Sequence, residues 1–299
     1  MSQRIRGSLV AIVTPMADDG EMDLPAFDRL LEWHIGSGTD GIVVVGTTGE
    51  SATLSTEEHC ELVAHCVDTV AGRVPVIAGA GSNNTKEALY FTESARDHGA
   101  DAALLVTPYY TKPSQEGLYQ HFKLIADSVD IPQILYNVPG RTACDLALET
   151  VVRLAELENI VGIKDATGDL GRGIEMIKQL GDRLAVYSGE DAISLPLMLA
   201  GGDGVISVTA NVAPDAMAAM CREALAGNEP EAKALDDKLA LLHQNLFLEA
   251  NPIPVKWALS RMGMIGPGIR LPLVELSANF HVQVMEALAQ AEIELPAAA

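Results

Sequence analysis

Ile160-Val161-Gly162-Ile163-Lys164 reads as a buried strand that ends in an amine. Burying the charge of a lysine is costly, so the run raises a question of fold and of chemistry together. Alternation along a strand sends Ile160, Gly162 and Lys164 to one face and Val161, Ile163 and Asp165 to the other. The amine then shares its face with carbon or with no side chain at all. Desolvation disfavours the charged form of an amine, and a neutral lysine is the nucleophile that forms Schiff bases with carbonyl substrates. The plainer alternative is a strand-end lysine whose head reaches back to water. Of the other lysines, Lys86, Lys112, Lys123, Lys178, Lys233 and Lys238 lie in polar surroundings and Lys256 lies in a helix-like stretch. Lys164 alone reads as desolvated on a strand.

Outward from this run, strand-like and helix-like segments alternate every 25 to 30 residues or so, the rhythm of repeated βα units. The strands fall at residues 8–14, 41–46, 74–79, 102–108, 133–137, 160–164, 184–189 and 204–209. Each is rich in Val, Ile or Leu without polar alternation, as parallel strands covered on both faces are. Amphipathic segments lie between them. Residues 56–70 follow Ser55, an N-cap with Glu58 three positions on, which is a capping box. Residues 85–98 stop at Gly99, and 146–158 carry apolar residues at helical spacing. Eight such units in 299 residues imply an α/β fold, the closed (β/α)8 TIM barrel; an open doubly wound sheet has a similar rhythm, but count and length favour the barrel. The barrel is expected over residues 1–227. A C-terminal helical domain follows over 228–299, three helices broken at Asn251-Pro252 and Gly266-Pro267.

Composition narrows the partners. A net charge of −21 without a Lys/Arg cluster excludes nucleic acid and anionic membrane surfaces as partners. The apolar runs are too short to span a bilayer, and the one near the start ends in Thr14-Pro15 and not in a small-residue cleavage site. A cytoplasmic protein is expected. Cys60, Cys66, Cys144 and Cys221 have no C-x-x-C spacing and read as reduced packing residues. The seven histidines are scattered, most of them expected on helix surfaces, so no metal site is expected.

In such a barrel the residues at the C-terminal strand ends assemble the active site. Those ends supply Gly46-Thr47-Thr48-Gly49-Glu50-Ser51, Thr107-Pro108-Tyr109-Tyr110, Tyr136-Asn137-Val138-Pro139-Gly140-Arg141, Lys164, Ser188-Gly189 and Ile206. The first offers hydroxyls and free backbone N–H groups suited to a carboxylate, or is simply a tight βα turn. It lacks the Gly-Lys-Ser/Thr ending of a P-loop. Tyr136 ends the strand beside that of Lys164, where a phenol can exchange protons with a lysine-bound carbon; otherwise it is a packing aromatic. The Arg141 fork matches a carboxylate, or is a solvated charge. Gly168-Asp169-Leu170-Gly171-Arg172-Gly173 has the wrong spacing for a dinucleotide fingerprint and reads as a helix start.

These segments, together with Gly162-Ile163-Lys164-Asp165-Ala166-Thr167 and Asn251-Pro252-Ile253-Pro254-Val255-Lys256, resemble the dihydrodipicolinate synthase family over nearly the whole chain. The family lies within the lysine-dependent aldolase and N-acetylneuraminate lyase superfamily. The Gly-x-Thr-Gly-Glu turn, the tyrosine and the lysine are common to the superfamily. Arg141, the Tyr109-Tyr110 pair and the Asn251 to Lys256 segment resemble the synthase more narrowly. The resemblance implies that Lys164 forms an imine and then an enamine with pyruvate, and that Thr47 and Thr48 hold its carboxylate. It implies that Thr48, Tyr136 and Tyr110 relay protons, Tyr110 being lent by a neighbouring subunit. Arg141 would bind the carboxylate of L-aspartate 4-semialdehyde, and Ile206 would line the site through its backbone. The product would be 4-hydroxy-tetrahydrodipicolinate, on the route to lysine and diaminopimelate, made without cofactor by a homotetramer arranged as a dimer of dimers. The alternative is another pyruvate-forming Schiff-base aldolase or lyase acting on a sugar acid. Ser51, Ala52, Thr56, His59, Asn83, Glu87 and Tyr109 match the positions of an allosteric lysine pocket. Thr56 departs from the His or Trp of some lysine-sensitive members, which implies weak or absent inhibition by L-lysine. Asp165 departs from the expected Glu, on the face away from the interior.

Overall fold

The structure is a computed structural model that describes residues 4–180 and 183–296. Eight strands, β1 (Gly7–Ala11), β2 (Gly41–Val44), β3 (Val76–Gly79), β4 (Ala102–Val106), β5 (Gln133–Asn137), β6 (Ile160–Asp165), β7 (Ala185–Ser188) and β8 (Gly204–Ser207), pair in parallel and in sequence order. β1 closes the ring on β8, with Leu9 opposite Ile206. Parallel closure puts all eight C-terminal ends on one rim, which is what makes a single mouth out of distant sequence.

The side chains divide between two cores. Inside the barrel lie Leu9, Ala11, Val43, Ile77, Leu104, Ile134, Tyr136, Tyr187 and Ile206, and a larger apolar layer packs between strands and helices. The capping box is formed as expected: Glu58 N–H donates to Ser55 Oγ at 3.2 Å and Ser55 N–H to Glu58 Oε2 at 2.7 Å. The helix over Leu170–Leu180 starts behind Asp169, whose Oδ1 accepts from the Arg172 amide at 3.0 Å.

Several expectations are corrected. The strands are shorter than the apolar runs, because the chain leaves the ladder while still buried. At the end of β1, Val13 N–H donates to Asn211 Oδ1 and Thr14 Oγ1 to Gly49 O, so side-chain and loop partners replace strand pairing. After β2, Val45 turns into the left-handed region at φ 49 and breaks the extension. Strict alternation along β6 also fails. The register jumps from Gln133 opposite Ile160 to Ile134 opposite Gly162, a bulge that turns Ile160 to the outer core and brings Val161 against the inner one. Gly162 and Lys164 remain on the inner face. The helix expected over 146–158 is confined to Leu148–Leu154.

The histidines are the largest correction to the polar residues. His34, His59, His121 and His243 are buried, not on helix surfaces. Hydroxyl partners make this tolerable: Thr39 for His34 at 3.1 Å, Thr85 for His121 at 2.9 Å and Thr209 for His243 at 2.9 Å. Burial pushes His34 down to about 3 and His121 to about 4, so the neutral ring is the native form. All four cysteines are free thiols.

Beyond the eighth barrel helix (Pro214–Leu225), the C-terminal segment forms helices Glu229–Asn245, Ile253–Arg261 and His281–Gln290. The first ends before Asn251-Pro252. The last begins well beyond Gly266-Pro267, after a single turn at Ala278–Phe280. Helix Ile253–Arg261 is the element that matters for the mouth, because its N-terminal end returns to the rim.

Candidate active site

Lys164 and Tyr136 are direct partners across the β5/β6 pairing. Both are buried, and Lys164 Nζ stands 4.4 Å from the centre of the Tyr136 ring. No carboxylate comes within ion-pair distance of Lys164 among the described residues. The adjoining strand end makes room for the lysine. A Cβ on Gly189 would meet Lys164 Cε at 3.0 Å and Ala166 Cβ at 2.6 Å, so a side chain there would displace the amine. Asp165, one residue on, faces the other way. It accepts from Arg172 Nε at 3.1 Å and from the Thr167 amide at 3.1 Å, in a cluster behind the strand.

The turn after β2 sits across the mouth. Glu50 takes the left-handed region at φ 58. The amides of Gly49, Glu50 and Ser51 are consumed inside the turn, donating to Gly46 O, Thr47 O and Gly46 O. The expected free N–H groups are therefore fewer: those of Thr47 and Thr48 alone have no protein acceptor within the Thr47–Ser51 stretch. Thr48 is 2% exposed, while Thr47 is half-buried.

Two groups from the C-terminal segment grip this turn. Asn251 Nδ2 donates to Thr48 Oγ1 at 2.9 Å. Lys256, one helical turn further on, pairs with Glu50, and both are almost fully buried. Burial pulls Lys256 below the usual lysine range, and the Glu50 charge beside it acts against that pull. Glu50 also accepts from the Arg270 amide at 3.2 Å. From the sequence, Lys256 is expected in a helix-like stretch, and neither Asn251 nor Glu50 has a role of its own.

Arg141 closes the opposite side. It lies in the one-turn helix Pro139–Thr142 after β5, is exposed, and donates from Nη2 to Asn251 O at 3.1 Å. Glu190 follows Gly189 and was also missed. Its carboxyl is raised above the usual range by burial and by Asp191, while the Lys164 and Arg141 charges act to lower it. The signal was its place directly after the Ser188-Gly189 strand end.

Other expected residues lie elsewhere. Tyr110 is 87% exposed at φ 70 and stands outside the Lys164 group of its own chain. Ile206 is fully buried in the barrel interior. In the second expected group, His59 stacks on Phe91 at 4.0 Å, and Glu87 accepts from the Ser82 hydroxyl. Burial lowers His59 to about 4, with Glu87 among the groups that oppose the shift. Asn83 is half-buried, as is Ser51, whereas Ala52, Thr56 and Tyr109 are exposed. No cluster of His, Cys, Asp and Glu fit to hold a metal occurs among the described residues.

The arrangement offers an amine, a phenol and a buried hydroxyl at one end of the barrel, with a guanidinium beside them. That set can form an imine, move protons at the carbon beside it and receive an acidic second substrate.

Comparison with known proteins identifies the family. The profile of the dihydrodipicolinate synthetase family matches residues 4–291. A 4-hydroxy-tetrahydrodipicolinate synthase of Thioalkalivibrio sulfidiphilus is 60% identical over 291 residues, covering 97% of this chain and 99% of that protein. The crystal structure of a chloride-inhibited dihydrodipicolinate synthase from Acinetobacter baumannii, in complex with pyruvate, superposes with a TM-score of 0.96 at 56% identity. It covers 97% of this chain and all of the other. A Cyanidioschyzon merolae dihydrodipicolinate synthase with lysine bound superposes with a TM-score of 0.94 at 39% identity, over 98% of this chain and 100% of that one.

Proposed function

The chain belongs to the dihydrodipicolinate synthetase family, and from that premise we propose how it works as a 4-hydroxy-tetrahydrodipicolinate synthase, a lyase of lysine and diaminopimelate biosynthesis. The observation that carries the reading is the buried Lys164 beside Tyr136, with no carboxylate in ion-pair contact among the described residues.

Lys164 Nζ attacks C2 of pyruvate, and loss of water leaves an imine. The imine is an electron sink, so a methyl proton can leave and an enamine forms without a metal. Thr47 and Thr48 hold the pyruvate carboxylate, with the two unused amides of the turn as further donors. The enamine carbon attacks the aldehyde of L-aspartate 4-semialdehyde, whose carboxylate Arg141 receives. The new alkoxide takes a proton through Tyr136 and Thr48. The amine of the second substrate then attacks C2, closes the ring and returns Lys164 as the free amine.

Tyr110 completes the relay from a neighbouring subunit of a homotetramer built as a dimer of dimers. Its 87% exposure in the single chain supports that reading. Ile206 bounds the site from β8, and a cytoplasmic location accompanies the biosynthetic role. Residues 228–299, of which 297–299 lie outside the described residues, include a helical domain that holds the turn after β2, with the ion pair of Lys256 and Glu50 as support. The His59 and Glu87 group, with Ser51, Ala52, Thr56, Asn83 and Tyr109, is the place for L-lysine, weakened by Thr56. The lysine-bound C. merolae relative supports the ligand, and Glu87 supplies a carboxylate for its ammonium.

A steady-state assay separates this function from the sugar-acid alternative. Condensation of pyruvate with L-aspartate 4-semialdehyde is the expected result. Release of pyruvate from a sugar acid, with no condensation, would overturn it.

A further inference from the structure

We propose that Asn251 is a positioning residue that sets the direction of proton transfer through Thr48 and the aim of Arg141. The inference rests on the Lys164 mechanism and adds to it a part from outside the barrel strands.

An amide nitrogen can only donate. With Asn251 Nδ2 donating to Thr48 Oγ1 at 2.9 Å, the Thr48 oxygen is occupied as an acceptor on that side, and its own proton must point elsewhere. Thr48 is 2% exposed, so water does not compete for it freely, and the proton is left for an acceptor other than Asn251 Nδ2, such as a bound substrate. The same residue holds Arg141 through its backbone carbonyl at 3.1 Å. One residue thus touches the hydroxyl assigned to the pyruvate half and the guanidinium assigned to the semialdehyde half.

Its own position is fixed locally. Asn251 is 6% exposed, and the Ile253 amide donates to Ala250 O where the following helix begins. Lys256 then holds Glu50, two residues beyond Thr48 in the same turn. The turn is gripped at Thr48 and at Glu50 by residues only five apart. A slip of the C-terminal helix would therefore misdirect the relay without touching Lys164.

Two variants test this, both in the full chain. N251A removes the donor. N251D keeps the shape but, when ionised, offers only acceptors, so Thr48 must donate its proton to residue 251 and away from the substrate. The readouts are borohydride trapping of pyruvate on Lys164, kcat against KM for each substrate, and exchange of the pyruvate methyl protons with deuterated water. For N251A, the expected result is trapping as in the wild type and a pyruvate KM within about threefold. Its kcat and methyl exchange fall by about 10-fold or more, a part of the roughly 10²–10⁴ that positioned proton transfer contributes. N251D, compared with N251A, recovers as the pH falls, because a protonated carboxyl can donate to Thr48 again. A role in packing alone predicts no such pH dependence. Wild-type kcat and exchange in N251D would overturn the proposal, since they would mean that proton transfer does not depend on the direction of the hydrogen bond between Thr48 and residue 251. Absence of trapping in the wild-type protein would instead sink the Lys164 mechanism itself.

Discussion

Lys164 at the end of β6 and Lys256 in helix Ile253–Arg261 are both nearly shut off from water, at 6% and 3% exposure. Lys256 has a buried carboxylate against it, and Lys164 has an aromatic face. A buried ammonium with a paired carboxylate is held charged, hydrogen-bonded and unreactive, and it serves to fix two elements together. A buried amine that faces a ring and an open mouth has no carboxylate hydrogen bond to fix it and is free to turn towards a substrate. Burial is therefore common to both lysines, and in the proposed mechanism the partner decides which of them reacts. The histidines are a third case. His34 and His121 have only hydroxyl partners, and burial keeps them neutral.

The largest effect that would sharpen this contrast is on catalysis. Lys164→Ala should lower kcat by on the order of 10⁴-fold or more, as loss of a covalent nucleophile does, with unfolding by denaturant essentially unchanged. Lys256→Met should behave in the opposite way. Leaving Glu50 buried without its cation should cost about 3–5 kcal/mol of stability in urea unfolding, and adding Glu50→Gln should recover much of it. A Lys256→Met protein as stable as the wild type would break the comparison.

Arg141→Ala ranks next. The guanidinium is exposed and, among the described residues, tethered only through Asn251 O, so its hydrogen bonds to a substrate carboxylate should be worth about 1.5–3 kcal/mol. Steady-state kinetics should register this as a lower kcat/KM for the semialdehyde, while pyruvate trapping on Lys164 survives.

The smallest effect per residue concerns pH. His34, His59 and His121 remain neutral in the native state down to about 3, 4 and 4, whereas an unfolded histidine binds a proton below its ordinary value of 6.5. Stability should therefore be full above pH 6.5 and fall as the pH drops from there towards 4. At pH 5 the loss should be about 2 kcal/mol for each such residue, and unfolding titrations at pH 7 and pH 5 measure it. His34→Gln should show a shallower fall, whereas an unchanged pH dependence would mean that this ring is not protonated preferentially on unfolding.

What the sequence made legible follows the range of each signal. The eight strands, the Ser55 capping box and Lys164 at the end of an apolar run are local patterns, and the structure contains each of them. The pairing of Glu50 with Lys256 and the contact of Asn251 with Thr48 join residues about 200 positions apart, and no local pattern encodes such a meeting. Lys256 reads only as part of a helix-like stretch because its neighbours, Val255 and Trp257, are apolar on both sides and reveal no face. The bulge that turns Ile160 outward was hidden for a related reason: it arises in the register with β5, and strict alternation is a property of one strand considered alone. The burial of His34, His121 and His243 is not legible locally because their hydroxyl partners lie on other elements or around a turn, and that of His59 because Phe91, on which it stacks, lies on another helix.

The most direct test of the contrast between the two lysines is borohydride reduction of the intact protein in the presence of pyruvate, followed by peptide mass mapping. A single pyruvyl adduct on Lys164, with Lys256 unmodified, is the result this account predicts. An adduct on Lys256, or none at all in folded protein, would contradict it.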